Sequence, residues 1–238
     1  MHFRAVRRIV ASSFVVLLFT DVLLAQEPDA VAIIRDLDAA NQARFDHVLS
    51  FTDVEHYTVF RGSNETRPAA EMTVKMTYQQ GIGKEYVILS QSGSALIQRV
   101  GLQPLLDSER AINDPAKVAQ SWFTSANYEM HLKSGVTQTI DGQLCFAFAI
   151  TPRHKAPNMI EGTLWVDTDN HKLVEVEGVA SKSPSVFAGT TKMMRRYTNM
   201  QGYAMATQAR AESSSMLFGR TVVLIDYSDY HFQLRPAQ

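Results

Sequence analysis

The sequence GTLWVDTDNHKLVEVEG, residues 162–178, decides the fold. The residues on both sides of its polar centre include Val, Leu, Trp and Thr, which fit the pleated surface of a β-strand. The centre, residues 167–171, contains two Asp and one Asn, which are typical of tight turns. Two β-forming runs separated by such a turn predict an antiparallel hairpin.

The same polar centre also carries the residue types of a metal site. A calcium loop that starts at Asp167 would place His171 at its fifth position, Lys172 at its sixth and Gly178 at its twelfth. Such a loop needs oxygen ligands at the fifth and twelfth positions and Gly at the sixth. A zinc site needs several His or Cys residues, and this segment has one His and no Cys. We therefore predict a turn and no metal.

Downstream and upstream of the hairpin, the chain separates into strands and helices. Pro28 and Asp29 begin an amphipathic helix that extends to about residue 48, because apolar residues recur there every three or four positions. Three strands follow, and then a helical segment at residues 102–126 in which Asp114 is the predicted N-cap of a second helix. The remaining strands are predicted at residues 128–133, 135–140, 143–151, 160–167, 171–181, 185–196, 202–213 and 217–231.

The strand at residues 144–150 indicates how the sheet is covered. Leu144, Phe146, Phe148 and Ile150 share one face, and Cys and Ala share the other. Neither face is polar, so both are predicted to be covered, with the small residues allowing a helix to approach closely. The predicted fold class is α+β: a curved, antiparallel, half-open β-barrel wrapped over an N-terminal helix and a helical insertion.

The start of the chain has the pattern of a secretory signal peptide. Three Arg precede the apolar run IVASSFVVLLF, and a small residue, Ala25, stands before Gln26. We predict a signal peptide at residues 1–25, a single domain at residues 26–238, and a periplasmic or secreted location. Ala25 is not followed by Cys, so no lipid anchor is expected there. The signal has a charge of +2, which changes the net charge from −1 to about −3 and argues against nucleic-acid binding.

Residues 26–238 show no catalytic motif. The seven His residues of the chain form no metal-binding pair, and Cys145 alternates with Ala on a strand, which is typical of a buried small hydrophobe. No phosphate-binding or nucleophile motif occurs. We predict no catalytic residues, no cofactor and no metal. A hydrolase that uses Asp226 and His231 is the least favoured alternative.

The order of elements, together with three stretches, resembles the periplasmic lipoprotein-carrier superfamily of LolA, LolB and RseB-like proteins. The stretches are GTLWVDTDNHKLVEVEGVA, FAGTTKMMRRYTNMQGYAMATQARAES and the final IDYSDYHF. The resemblance implies a half-open barrel whose apolar concave side holds acyl chains or lipid-modified peptides. It implies a non-enzymatic carrier or, alternatively, an RseB-like sensor that binds an envelope protein. The implied partners are a lipid or an acylated protein, with peripheral membrane contact, and the carrier is expected to be a monomer.

Candidate ligand-binding residues come from strand alternation alone, because no contact residue of the superfamily is matched to a position here. They are Met72, Val74, Met76, Tyr78, Tyr86, Ile88, Phe146, Phe148, Leu164 and Val166. Nine Met follow the signal segment, and these unbranched side chains suit either a pocket for flexible apolar ligands or ordinary core filling. Arg195 and Arg196 are interpreted as exposed residues of a strand edge, available to an acidic partner.

Overall fold

The computed structural model of the chain describes residues 28–156, 158–182, 190–215 and 219–236. The predicted signal peptide lies outside these ranges, and so do parts of the strands predicted at residues 185–196 and 217–231. Met216, one of the nine Met that follow the signal segment, also lies outside the described ranges. No helix in the described ranges has both the length and the apolar character that crossing a membrane requires.

Helix α1, Ala30–His47, confirms the predicted N-terminal helix. Asp29 caps it, since its Oδ1 atom accepts hydrogen bonds from the backbone N–H groups of Val31 and Ala32 at 3.0 and 3.1 Å. A side-chain oxygen at this position satisfies donors that have no partner within the helix. Ile33 and Leu37, four residues apart, are both 1% exposed. They form the stripe by which α1 packs against the sheet.

Ten antiparallel strands form one sheet. They are β1 Val48–Arg61, β2 Ala70–Gln79, β3 Gly83–Gly93, β4 Tyr128–Ile140, β5 Gln143–Pro152, β6 Ile160–Asp167, β7 Leu173–Ala180, β8 Lys192–Met200, β9 Tyr203–Ser215 and β10 Gly219–Leu234. Their order is β3-β2-β1-β10-β9-β8-β7-β6-β5-β4. The sheet therefore ends at β3 on one side and at β4 on the other, and these two edges do not pair. This open, curved sheet with its helices confirms the predicted α+β fold class.

The hairpin predicted at residues 162–178 is formed by β6 and β7, with Leu164 opposite Val176. Its turn is closed by Asp167, whose Oδ1 atom accepts hydrogen bonds from the backbone N–H groups of residues 169 and 170 at 2.8 and 3.0 Å. His171 Nδ1 lies 2.7 Å from the carboxylate of Asp36 on α1. The predicted turn is confirmed, and its His joins the hairpin to the first helix.

The helical segment between β3 and β4 differs from its prediction. It contains α2, Ala95–Ile97, a π-helical turn, Gln98–Leu102, and α3, Gln103–Ile112. The prediction of a second helix capped by Asp114 is wrong, because the chain there forms only a short 3-10 helix, Val118–Ser121. The side-chain amide of Asn127 donates to the backbone carbonyls of Ala119 and Trp122 at 2.7 and 2.9 Å. Those carbonyls also accept backbone N–H groups from Trp122 and Thr124, three and two residues ahead, whereas an α-helix needs the N–H group four residues ahead.

Strand β5 places its large residues, and not its small ones, against the helix. Phe148 and Ile150 pack in one buried cluster with Ile33 and Leu37 of α1. Cys145 and Ala147 lie on the other face. The expectation that the small residues would accept the helix is wrong, because Trp165 and Val174 of the neighbouring strands cover that face. The face of the sheet that packs against α1 and α3 is called the inner face below. The two strands predicted at residues 128–140 are one strand, β4, with an irregular register before Thr137.

Candidate functional site

A cavity of about 320 Å³ lies between the inner face of the sheet and the helices. Residues of strands β1–β3 and β6–β10 line one side of it. Helices α1 and α3 and the segment around Trp122 line the other. Most of the lining side chains are apolar or aromatic. Apolar pockets of this size are typical of small-molecule binding sites.

Aromatic and Met side chains form one end of the cavity. The ring of Phe51 on β1 lies 5.2 Å from that of Tyr78 on β2 and 5.9 Å from that of Tyr230 on β10. Met76 and Met205 are buried in the same cluster. Flexible Met side chains beside fixed rings allow the surface to adapt to ligands of different shape.

The helical side of the cavity is also aromatic. Phe45, in the last turn of α1, packs against Trp122 with 5.2 Å between ring centres. Phe123 packs against Tyr128 of β4 at 5.3 Å, and the side-chain amide of Asn41 donates to the backbone carbonyl of Phe123 at 3.3 Å. These contacts hold the segment after α3 in place over the cavity.

Strand β1 contributes two carboxylates to the inner face. Alternation along β1 puts Asp53 and Glu55 on the same face as Phe51 and Tyr57. The residues are only 2% and 1% exposed. Asp53 lines the cavity, whereas Glu55 lies deeper and accepts a short hydrogen bond from the Tyr57 hydroxyl. Carboxylates are seldom buried to this extent without a partner.

Three further charged residues approach from other elements. Glu109 of α3 accepts a hydrogen bond from Lys84 Nζ of β3 at 3.3 Å, and its other oxygen lies 3.7 Å from Arg195 Nη2 of β8. The side chains of Lys84 and Glu109 are only 16% and 17% exposed. Asp53, Glu55, Lys84, Glu109 and Arg195 are called the charged cluster below. It contains three acids and two bases.

The pKa values of the charged cluster show how its charges are shared. Burial would by itself raise the pKa of Glu109, but the neighbouring Lys84 and Arg195 hold it below its usual value. Burial would lower the pKa of Lys84, but the carboxylates of Glu109 and Glu55 raise it. Burial, and secondarily the charge of Glu55, raises the pKa of Asp53 to about 7. The two bases therefore remain charged beside Glu109, and Asp53 titrates near neutral pH.

The raised pKa of Asp53 predicts that stability falls as the pH rises toward neutrality. The folded Asp53 carboxyl keeps its proton up to about pH 7, whereas an unfolded Asp loses it near pH ~3.9. Between these values the folded state binds more protons, so raising the pH favours unfolding. We expect the free energy of unfolding to be about 1.4 kcal/mol lower at pH 8 than at pH 6. Urea unfolding at both pH values measures this, and Asp53→Asn should remove that part of the difference. An undiminished difference in the variant would contradict the assignment.

The ten residues predicted to bind ligand occupy three different environments. Met76 and Tyr78 line the cavity. Ile88 is 41% exposed, on the edge strand β3. The others pack in the cores beside the cavity and do not line it: Met72, Val74, Tyr86, Phe146, Phe148, Leu164 and Val166. Ligand contact by any of the ten stays a prediction.

The interpretation of Arg195 and Arg196 as exposed residues of a strand edge is wrong, because β8 lies between β7 and β9 and both side chains are partly buried. Successive residues of β8 point to opposite faces, so Arg195 lines the cavity while Arg196 lies on the other face. Arg196 Nε donates to Glu175 of β7 at 2.6 Å. Asp53, Lys84 and Glu109 are not among the residues predicted to form a site. The alternation of residues along β1 places Asp53 on the same face as Phe51 and Tyr57. It does not identify that face as the one that packs against the helices.

The described residues hold no group of three or more His, Cys, Asp or Glu that is arranged to bind a metal ion. The pair considered for hydrolysis is not joined by a hydrogen bond, because Asp226 accepts one from Gln208 at 3.2 Å and His231 contacts Asp229 at 3.1 Å. Cys145 is fully buried, and burial raises the pKa of its thiol to about 11. A thiol in this state is a poor nucleophile.

No protein-family model and no curated protein matches the sequence, but solved structures match the fold. A LolA superfamily protein from Nitrosomonas europaea is 16% identical, with 87% of this chain and 94% of that one covered and a TM-score of 0.45. This chain is similar in fold to LolA-superfamily structures. An outer membrane lipoprotein-sorting protein domain from Vibrio parahaemolyticus is 14% identical, with 87% and 95% covered and a TM-score of 0.48.

A third matching structure is that of MucB in complex with MucA(peri), at 10% identity, with 84% of this chain and 93% of that one covered and a TM-score of 0.25. The resemblance noted in the sequence is thus found again among solved structures. The scores lie below 0.5, so the fold described above rests on this chain's own strand order and register.

Proposed function

We propose that the chain is an exported, non-enzymatic carrier that holds the acyl chain of a lipid or lipoprotein in its cavity. The observation that carries this proposal is the cavity of about 320 Å³ itself, which is lined mostly by apolar side chains from both the sheet and the helices. The interior of an ordinary hydrophobic core is packed to the density of an organic crystal and leaves little open space. Open apolar space of this size between packed layers is suited to an apolar guest.

Burial of methylene groups would drive binding. Each methylene that leaves water contributes about 0.8 kcal/mol, so a chain of ten contributes about 8 kcal/mol before the costs of association are subtracted. Because this force has no direction, chains of different structure can be held by the same Met-rich surface. Release then needs a partner protein or a membrane surface that offers the chain an equally apolar environment.

The proposed carrier function also suggests a location and partners. A signal peptide at residues 1–25 would direct it to the periplasm or the medium, where lipids and acylated proteins need transport through water. We propose that it acts as a monomer with peripheral membrane contact. This requires no cofactor, since binding and release of an acyl chain break no covalent bond.

The direct test is native mass spectrometry of the mature protein purified from a periplasmic extract, followed by organic extraction. We expect a lipid, fatty acid or lipopeptide at close to one copy per chain. A protein that is isolated empty, and that also takes up no fluorescent fatty acid in solution, would overturn the carrier function.

A Trp placed in the cavity is expected to weaken the binding of a fatty acid. Ala211 lines the cavity from β9, opposite Met193 of β8, and an indole at this position would occupy the space of several methylenes. We expect Ala211→Trp to weaken binding of a fluorescent fatty acid by about tenfold or more, which corresponds to the loss of about two methylenes. The control is Thr198→Trp, at an exposed site of β8 that does not line the cavity. Equal affinity in both variants would contradict binding in this cavity.

An exposed apolar patch supports a second candidate function, a sensor that binds an envelope protein. Val87 and Leu89 on the edge strand β3 are 63% and 56% exposed, and Leu96 and Val100 nearby are 50% and 49% exposed. An edge strand with unpaired backbone groups can accept a further strand from a partner. If the mature protein proves empty and takes up no fatty acid, this patch is the surface by which it would act.

A further inference from the structure

The charged cluster contains acceptor atoms that have no hydrogen-bond partner. In the described part of the chain, nothing bonds to Oδ1 of Asp53 or Oε1 of Glu55, although both residues are almost completely buried. The nearby Tyr86 hydroxyl is also without a partner there. A buried acceptor left unpaired costs free energy, so its persistence beside a cavity calls for a donor from outside the chain.

The bases of the charged cluster do not supply that donor. Glu109 binds Lys84 and lies 3.7 Å from Arg195, so both cations have a carboxylate partner on α3, and neither donates a hydrogen bond to Oδ1 of Asp53. Three other cations line the cavity. Arg210 is bound to Glu65 at 2.8 Å, and neither Arg44 nor Lys172 donates to Oδ1 of Asp53. The groups that act on Asp53 are Glu55 beside it, Lys84 on β3 and the hydroxyl of Tyr230 on β10.

The backbone at Asp53 is irregular as well. The pairing of β1 with β10 shifts its register between Thr52 and Val54, and the opposite strand has a positive φ of 56° at Asp229. Such bulges redirect a side chain and are over-represented next to functional sites. Here the irregularity coincides with the one carboxylate of the charged cluster that both lines the cavity and has a free oxygen.

We propose that Asp53 binds a protonated amine, so that the ligand of this cavity is an amphiphile with an apolar chain and a primary amine at its polar end. An ammonium group would donate to the free Oδ1 atom, and its charge would balance the third acid of the charged cluster. The chain of the ligand would lie against Met76 and the rings around Phe51. This inference rests on the proposed function, because it names the class of ligand that the same cavity takes.

The test compares three probes with the same twelve-carbon chain: dodecylamine, dodecanol and dodecanoate. At pH 8 the amine is charged and Asp53 is mostly ionised, so isothermal titration calorimetry should show dodecylamine binding about tenfold or more tighter than dodecanol. Asp53→Asn should reduce this ratio to about one while dodecanol binding is retained. The control, Asp107→Asn on the exposed side of α3, should leave the ratio unchanged.

Equal binding of dodecylamine and dodecanol to the wild type would overturn the inference, because a water molecule would then satisfy Asp53. Tighter binding of dodecanoate, or a preference for the amine that survives in Asp53→Asn, would also overturn it. Should that variant not fold, the wild-type preference at pH 5.5 serves instead. It should be several-fold smaller there, since Asp53 is protonated. If none of the three probes binds, the carrier function itself fails, which distinguishes the two proposals.

Discussion

Replacing Glu109 with Gln is expected to lower the free energy of unfolding by about 3 kcal/mol. Glu109 is the shared partner of Lys84 and Arg195, which reach it from strands at distant positions in the sheet. Its removal takes from Lys84 and Arg195 the one carboxylate that lies within 4 Å of both, and leaves them only the weaker interaction with Glu55. Breaking one side of a buried ion pair is costly for this reason, even where the intact pair contributes little. The loss should also loosen α3 over the cavity, because Glu109 is its charged attachment to the sheet.

Urea unfolding monitored by tryptophan fluorescence measures the effect. The matched control is Glu129→Gln, which removes a carboxylate from the exposed pair with Arg153 at 3.2 Å, where the side chains are 48% and 56% exposed. Exposed pairs contribute less than about 1 kcal/mol, so this variant should unfold almost like the wild type. A Glu109→Gln protein as stable as the Glu129→Gln protein would show that water compensates the two cations.

Replacing Gly162 with Ala adds a single methyl group and is expected to lower the free energy of unfolding by about 3 kcal/mol. Gly162 on β6 stands opposite Gly178 on β7, and the two backbones approach unusually closely there. A Cβ atom built on Gly162 would lie 2.6 Å from the Gly178 Cα and would clash with the backbone carbonyl oxygen of Glu177. Backbone atoms cannot move aside as the end of a flexible side chain can. The two strands must therefore separate locally.

Thermal unfolding followed by circular dichroism gives the comparison. Gly101→Ala is the control, because a Cβ atom there meets only the Ile97 side chain, at an ordinary 3.7 Å. Ala also has a better helix propensity than Gly, so this control should be neutral or slightly stabilising. If Gly162→Ala melted at the same temperature as Gly101→Ala, the close approach of β6 and β7 would not exist in solution.

The strand pattern, the first helix and the opening hairpin could be predicted because each depends on local order in the sequence. Alternation identifies which residues share a face, as it did for Asp53 and Glu55 on β1. It does not say which face meets the helices, and this is why Arg195 was placed outside. The face is decided by which strands become neighbours, and no short stretch of sequence contains that information.

The candidate site shows the same limit more strongly. Met76 and Tyr78 were selected from alternation and do line the cavity, whereas Phe148 and Leu164 had the same pattern and fill a core beside it. Phe148 and Leu164 lie where α1 packs directly on the sheet, whereas Met76 and Tyr78 lie where the sheet and the helices are separated by the cavity. The attachment of Lys84 to Glu109 joins residues 25 positions apart in the chain, and the clash at Gly162 depends on strand register.

The pairing of β1 with β10 has a consequence for when the cavity forms. Strands β1–β3 are joined to strands β4–β9 only through the last strand, β10. Until residues 219–234 are available, strands β1–β3 and strands β4–β9 are two separate sheets, and the cavity that they share does not exist. Pairings between such distant segments also form late in folding. In a chain that crosses a membrane unfolded, the cavity would therefore be complete only after the C-terminal strand has emerged, and the proposed ligand could bind only then.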